Sequence, residues 1–504
     1  MIRTIATPQE LYGPLLAAVQ ERDILNDGKT FVDAEPKRPV AEIMADFARV
    51  PHDDEALAHF VAQNFDLPPA ADDVIPAGAE VGLREYIRRL WHALARGPDN
   101  GAEHSSALPV HHRYVVPGGR FREIYYWDSF FTMLGLLRDG ETELATGIVD
   151  AMTDLIEHYG HVPNGARTYY LGRSQPPLYY MMVGLIDGGQ PTPRRLAAMK
   201  REHAWWMSGA EDLAPGERNG RVARLADGSL VNRYWDLRNS PRDESWREDV
   251  ATAKVSGRPS AAVYRDLRAG AESGWDFSSR WLESSDLSSI RTTSIAPVDL
   301  NAFLYGLERA IAEGGSVDDA RTYSLLMDQR REAVQKHFWD DRDGYFADLD
   351  LETGQRRDRA SAATLAPLMV GMATAPQADA VAALVNAKFL APGGLRTTLC
   401  TSGEQWDMPN GWAPLQWIAV SGLRRYGHDD LAREVARSWI ATVEATYRRT
   451  GLVHEKYDIE AATIGIGGEY EPQTGFGWTN GVTADFLDWL AKSHDEALGS
   501  LSLL

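Results

Sequence analysis

Cysteine is almost missing from this chain. Among 504 residues only Cys400 occurs, which excludes an intramolecular disulfide framework and any zinc site built on several cysteines. No block of Lys/Arg interrupts the acidic balance. A net charge of −20 argues against a polyanionic partner such as nucleic acid. Long apolar runs are also lacking. The opening MIRTIATPQELYGPLLAAV is broken by Glu10 and Pro14, so neither a signal peptide nor a membrane span fits, and a reduced cytoplasmic setting is the expectation. No repeat of fixed period marks a solenoid. No Walker loop or G-x-S-x-G elbow is found, and PGG at 117–119 lacks the strand-to-helix setting of a dinucleotide fingerprint. His111 and His112 are adjacent and cannot easily face one metal. DDRDGYF at 340–346 has Trp339 in the first ligand position of a calcium loop and no closing Glu, so it reads as a hairpin turn at Asp343-Gly344. Neither metal nor cofactor is expected.

What is present is helical periodicity. Segments 41–50, 82–97, 143–160, 194–209, 300–315, 321–339, 379–389, 412–427, 430–449 and 483–493 place apolar residues at i, i+3, i+4 and i+7. Strand signals reduce to one hairpin in GYFADLDLETGQRR. This predicts an all-α chain of stacked helical hairpins closed into an (α/α)6 toroid, with inter-helix loops gathered at one mouth. Residues 1–75 read as an N-terminal extension packed on a barrel over 76–504, with a connector at 68–80. Segments 209–250, 255–298 and 450–481 are long, poorly periodic and rich in Gly, Ser, Arg and Trp. Such loops are usually functional or disordered, and their tryptophans argue against disorder.

Two stretches mix aromatic rings with hydrogen-bonding groups, PGGRFREIYYWDSFF at 117–131 and QWDMPNGWAPLQW at 405–417. Flat rings stack on the C–H faces of a sugar, while Arg, Asp, Asn and Gln bind its hydroxyls. ESGWDFSSRW sets Asp276 between Trp275 and Phe277, where desolvation would raise its pKa as a general acid requires. HEKYD and GGEYEPQTGFGWTNG supply Glu455, Asp458 and Glu469 as candidates for a second carboxylate. Taken singly, any of these acids reads more readily as a loop cap or a surface ion pair. Arg242 and Glu244 in PRDES, Arg173 and Gln175 in LGRSQPP, and Asn164 in VPNGAR could bind hydroxyls or hold a carboxylate in place.

The two stretches closely resemble the signature segments of the inverting α,α-trehalases, and the similarity runs from TPQELYGPLLAAVQ to GFGWTNGVTADFL. The resemblance implies an (α/α)6 glycoside hydrolase that converts α,α-trehalose to two glucose molecules with inversion and without a cofactor. It implies Asp276 as general acid and Glu455 as general base, with the carboxyl groups roughly 6.5–9.5 Å apart to admit a water. Arg120, Trp127, Asp128, Asn164, Arg173, Gln175, Arg242, Glu244 and Gly274 match substrate-binding positions. Glu469 aligns with a glutamate of the loop that closes over the site, and Gln405, Trp406, Asp407 and Trp412 match residues near the pocket. Two departures stand out: IGIGGEY is shorter and less purely glycine than the usual loop, and Asp243 stands where Pro is common. With no leader recognisable in the opening residues, the chain looks like the cytoplasmic branch, and a monomer acting on a disaccharide, with no membrane partner, is expected. A related glycosidase for another α-glucoside, or a silent sugar-binding protein, are the alternatives.

Overall fold

The computed structural model describes residues 6–50, 53–69, 78, 80–102 and 104–501. The connector expected at 68–80 falls largely outside them. Helices dominate, and six of them close a ring. The helix Tyr126–Arg138 packs on Tyr179–Asp187, which packs on Val298–Gly314, which packs on Ala366–Met369; the ring continues through Ala413–Arg425 and Gly477–Leu501 back to Tyr126–Arg138. An outer set, including Leu83–Leu94, Thr142–Tyr159, Pro193–Trp206, Val317–His337 and Asp429–Thr450, covers these inner helices. This is the (α/α)6 toroid.

The two rings are written differently in the sequence. Residues Tyr126 to Leu136 are all buried, as are Val298 to Glu308, because an inner helix is covered on every side. An outer helix buries one stripe: Leu83, Tyr86, Ile87, Leu90, Trp91 and Leu94, with charged residues facing out.

Two helices, Trp246–Ser256 and Ser260–Glu272, occupy stretches that periodicity left as loop. The second buries Asp266, Arg268 and Glu272 beside Val263 and Leu267, so its inward face is only partly apolar. Among the described residues the strands are short. Tyr345–Phe346 pairs back on Trp339–Asp340 around Asp343-Gly344, and Gly344 has φ +70°, so the hairpin turn expected there is formed. The hairpin expected in GYFADLDLETGQRR is formed as well: Leu349 bridges Arg356, Asp350 N donates to Gln355 O (2.9 Å) and Arg357 N to Asp348 O (2.8 Å), while Leu349–Asp350 also pairs with Ile295–Ala296. None of the described helices is long and apolar enough to cross a membrane.

The N-terminal helix Pro8–Glu21 starts at a Thr7 capping box and buries Tyr12, Leu15 and Leu16. These join Phe31, Ile43, Phe60 and Phe65 in a hydrophobic cluster of their own, which also takes in Tyr125, Tyr169 and Tyr170 next to the toroid mouth.

Candidate functional site

Several inner helices open at one mouth. Trp127 and Asp128 lie in the first turn of Tyr126–Arg138, Trp412 immediately precedes Ala413–Arg425, and Trp478 lies in the first turn of Gly477–Leu501. Between these ends and the loops above them is a cavity lined by Asp276, Glu455, Arg120, Trp127, Asp128, Asn164, Arg173, Gln175, Arg242, Glu244, Gly274 and Glu469. The two acid/base candidates and the ten binding candidates therefore meet in one place, whereas Asp458, the other carboxylate candidate, does not line it and accepts instead from Glu460 N (2.9 Å) and Ala461 N (2.8 Å). Trp406 and Trp412 line it too. Gln405 and Asp407 do not, and they act from behind.

Gln405 donates from Nε2 to the backbone carbonyl of Asp276 (2.5 Å) and accepts from Lys456 Nζ (2.7 Å). It thus ties the loop of one carboxylate to the residue after the other. Asp407 accepts from Ser278 Oγ, Ser279 N and Oγ, and Thr398 Oγ1, all at 2.7–2.9 Å, which pins the segment following Asp276.

The aromatic wall is stacked. Trp406 lies on Trp412 with ring centroids 4.0 Å apart and planes 2° apart, and Trp127 sits 5.7 Å from Trp406. Gly274 makes room for it: a Cβ there would come within 2.7 Å of the Trp127 ring.

Burial pushes the Asp276 carboxyl up to about 7, more than Arg242 and Arg173 pull it down, while the charge of Glu469 adds to the rise. Burial also raises Glu455, opposed by Lys456. Its two oxygens are held apart, Oε1 accepting from Tyr470 Oη (2.9 Å) and Oε2 from Gln473 N (3.3 Å). Asp128 is pushed well above the carboxylate range by burial, with the charges of Glu455 and Asp276 adding to it.

Around these acids the arginines are fixed by partners of their own. Arg242 is clamped by Asp249 (2.6 Å) and reaches Glu469 (2.8 Å), which also accepts from Ser245 Oγ (3.0 Å). Arg173 holds Glu244 (2.5 Å) and donates to Asn164 Oδ1 (2.9 Å), while Trp127 N donates to Gln175 Oε1 (3.1 Å). Burial would push Glu244 up, but Arg173, Arg242 and Arg268 outweigh it and hold it low; its Oε2 has no partner. Arg120 pairs with Asp27 (2.8 Å) and stacks over Tyr470 (4.7 Å).

Sequence reasoning missed several lining groups: Lys29, Tyr125, Tyr170, Ser245 and Tyr470. Tyr470 had a signal, since it follows Glu469 in the glycine-rich loop. Lys29 lies in GKTFVDAEPK, a segment that shares the family resemblance but carries none of the matched site positions; its ammonium pairs with Asp33 (2.6 Å) and Glu123 (2.7 Å) across the N-terminal cluster. Asp243, the residue standing in place of Pro, accepts from Gln9 N (2.9 Å), and its carbonyl accepts from Gln20 Nε2 (3.1 Å). That departure fastens the N-terminal helix to the Arg242–Glu244 turn. Among the described residues no cluster of His, Cys, Asp and Glu could hold a metal ion.

The trehalase family model matches residues 23–491, which covers nearly all of the ring and every residue lining the cavity. The chain belongs to the trehalase family. It is a glycoside hydrolase. It is similar to the periplasmic trehalase of Salmonella choleraesuis, 49% identical over 97% of this chain and 87% of that protein. The periplasmic trehalase of Xanthomonas campestris is likewise 49% identical, over 96% and 87%. Among solved structures, the neutral trehalase of Saccharomyces cerevisiae shares 27% identity with a TM-score of 0.63, covering 84% of this chain and 82% of that one. A mannosylglycerate hydrolase of Thermus thermophilus, 17% identical with a TM-score of 0.50 over 80% of this chain and 100% of its own, shares the fold.

These relatives overturn the cytoplasmic expectation. That expectation rested on the first residues and on the scarcity of cysteine. A single thiol can form no intramolecular bridge and is therefore compatible with either compartment. The trehalases at 49% identity are named periplasmic.

Proposed function

We propose that Asp276 and Glu455 carry out the inverting hydrolysis of α,α-trehalose to two glucose molecules as acid and base. One observation supports the assignment above the rest. A single cavity holds a carboxyl group whose proton is retained to about pH 7 together with a second carboxylate oriented by Tyr470 and Gln473. Asp276 donates its proton to the glycosidic oxygen as the C–O bond breaks. Glu455 takes a proton from the water that attacks the opposite face of the oxocarbenium-like carbon. One glucose leaves with its anomeric configuration retained and the other with it inverted.

The remaining groups fit substrate binding. Glu244 offers the unpartnered Oε2 as an acceptor for a sugar hydroxyl. Asn164 and Gln175 have their carbonyl oxygens occupied within the protein, so each turns amide donors to the ligand. Arg120, Arg173 and Arg242 are pre-oriented donors, and the tryptophans exclude bulk water. The cavity as it stands measures about 80 Å3, below the roughly 300–1,000 Å3 of ligand clefts. Glu469 and Tyr470 must therefore move aside to admit a disaccharide and return to cover it.

We further read residues 1–75 as an extension that completes the mouth, through Asp27 and Lys29, on a catalytic barrel over 76–504. The protein works as a monomer in the periplasm, as the names of its relatives suggest for the compartment. The net charge of −20 leaves nucleic acid out of its partners.

Asp276→Asn and Glu455→Gln, assayed for glucose release, should each lower kcat by about 10²–10⁴ or more while calorimetry still detects trehalose binding. Near-normal turnover in either variant removes the role assigned to that residue.

A further inference from the structure

A second cavity, of about 290 Å3, lies between the inner helices and the outer helix Pro193–Trp206 and shares no residue with the mouth. Its body is apolar, with Val183, Met199, Met369 and Trp417 on the walls. Two features at its rim are unlike an ordinary packing defect. The Tyr180 hydroxyl is buried and has no hydrogen-bond partner, an arrangement that costs free energy unless something accepts from it. The Arg309 and Arg425 guanidiniums both act on that phenol and converge on Gly371, whose Cβ would meet Arg425 Nη1 at 3.2 Å and Arg309 Nη1 at 3.4 Å. Each caps one helix-end carbonyl, Arg309 to Val370 O (2.6 Å) and Arg425 to Met369 O (2.9 Å). Arg309 has a carboxylate, Glu313, only at 3.9 Å, and a guanidinium carries five donors, so both retain N–H groups for a ligand.

We propose that this cavity binds a small amphiphile with one carboxylate, its alkyl chain on the apolar wall and its head group accepting from Arg309, Arg425 and Tyr180. A neutral apolar guest would leave the phenol unpartnered. A small inorganic anion would leave the apolar wall empty.

Calorimetry with octanoate, octanol and inorganic phosphate tests the assignment on the whole chain. Octanoate should bind saturably at one site and more tightly than octanol by about tenfold or more, as charge-assisted bonds to arginine imply, while phosphate alone should not bind detectably. Arg309→Ala with Arg425→Ala should reduce the octanoate preference to that of octanol. These arginines also cap helix ends, so a second variant guards against misfolding. Gly184→Leu adds a side chain where nothing lies within 4 Å, on the cavity lining, and should abolish octanoate binding while trehalose turnover stays at the wild-type rate. Equal binding of octanoate and octanol, absence of octanoate binding, or octanoate binding unchanged in Gly184→Leu would overturn the proposal.

Discussion

Replacing Gly274 by alanine tests whether the wall of the site is as tightly determined as its geometry implies. Gly274 has φ +74°, and a Cβ in that conformation costs about 1–2 kcal/mol. The added carbon would also lie 2.7 Å from Cε2 and Cζ2 of Trp127, so one of them must give way by several tenths of an ångström. Trp127 has nowhere to go. Its ring is packed against Phe131 (5.8 Å), Trp406 (5.7 Å) and Trp478 (6.1 Å), and its backbone N–H is bonded to Gln175. Overpacking of this kind adds about 1–3 kcal/mol, for a total of about 2–5 kcal/mol. A displacement approaching 1 Å in a positioning residue can cost about 10²-fold in rate, and Gly274 lies two residues before Asp276. Urea unfolding and kcat/KM on trehalose should both be measured. Gly257→Ala is the control, since Gly257 has φ +66° with nothing near its Cβ and carries only the backbone term. A Gly274→Ala protein no less stable than the Gly257→Ala protein, with kcat/KM within twofold of wild type, would refute the reasoning.

Other expectations follow from the same geometry. Because Asp276 must be protonated and titrates near 7, kcat/KM should fall as pH rises through about 7, and Asp276→Glu should shift that limb. Because burial raises Glu455, which must be ionised, the acid limb should lie above the pH at which an ordinary glutamate titrates; a limb at or below it contradicts the base assignment. His454 is buried with both ring nitrogens unpartnered, and burial, helped by Arg449, lowers its pKa from 6.5 to about 4. The folded state thus resists protonation that the unfolded chain accepts. Stability from this group is full above about pH 6.5 and declines by about 3 kcal/mol as pH falls to about 4. Unfolding of His454→Leu should therefore depend less on pH across that window, and an unchanged dependence would contradict the account. Gln405→Ala cuts the link between the Asp276 carbonyl and Lys456, so kcat should fall more than KM rises.

How much of this was legible in the sequence depended on whether a residue acts through local pattern or through tertiary meeting. Outer helices such as Leu83–Leu94 declare themselves by their stripe. Ser260–Glu272 hides because its inward face carries Asp266, Arg268 and Glu272, each paired or bonded only once the fold is complete. The acids 276 and 455 and the sugar-binding candidates could be named from motif, and the fold brings them together. Asp27 and Lys29 could not. They lie some ninety residues upstream of Arg120 and Glu123, and although GKTFVDAEPK, which holds Lys29, shares the family resemblance, only the docking of the N-terminal cluster brings either residue to the mouth. Compartment was not legible at all, since neither a lone cysteine nor the first few residues bear on it.

In the proposed mechanism water attacks from the Glu455 side while Asp276 protonates the departing oxygen. Proton NMR of a fresh trehalose digest, recorded before mutarotation, tests it most directly. α- and β-glucose should appear together in equal amounts. α-Glucose alone would mean retention and would contradict it.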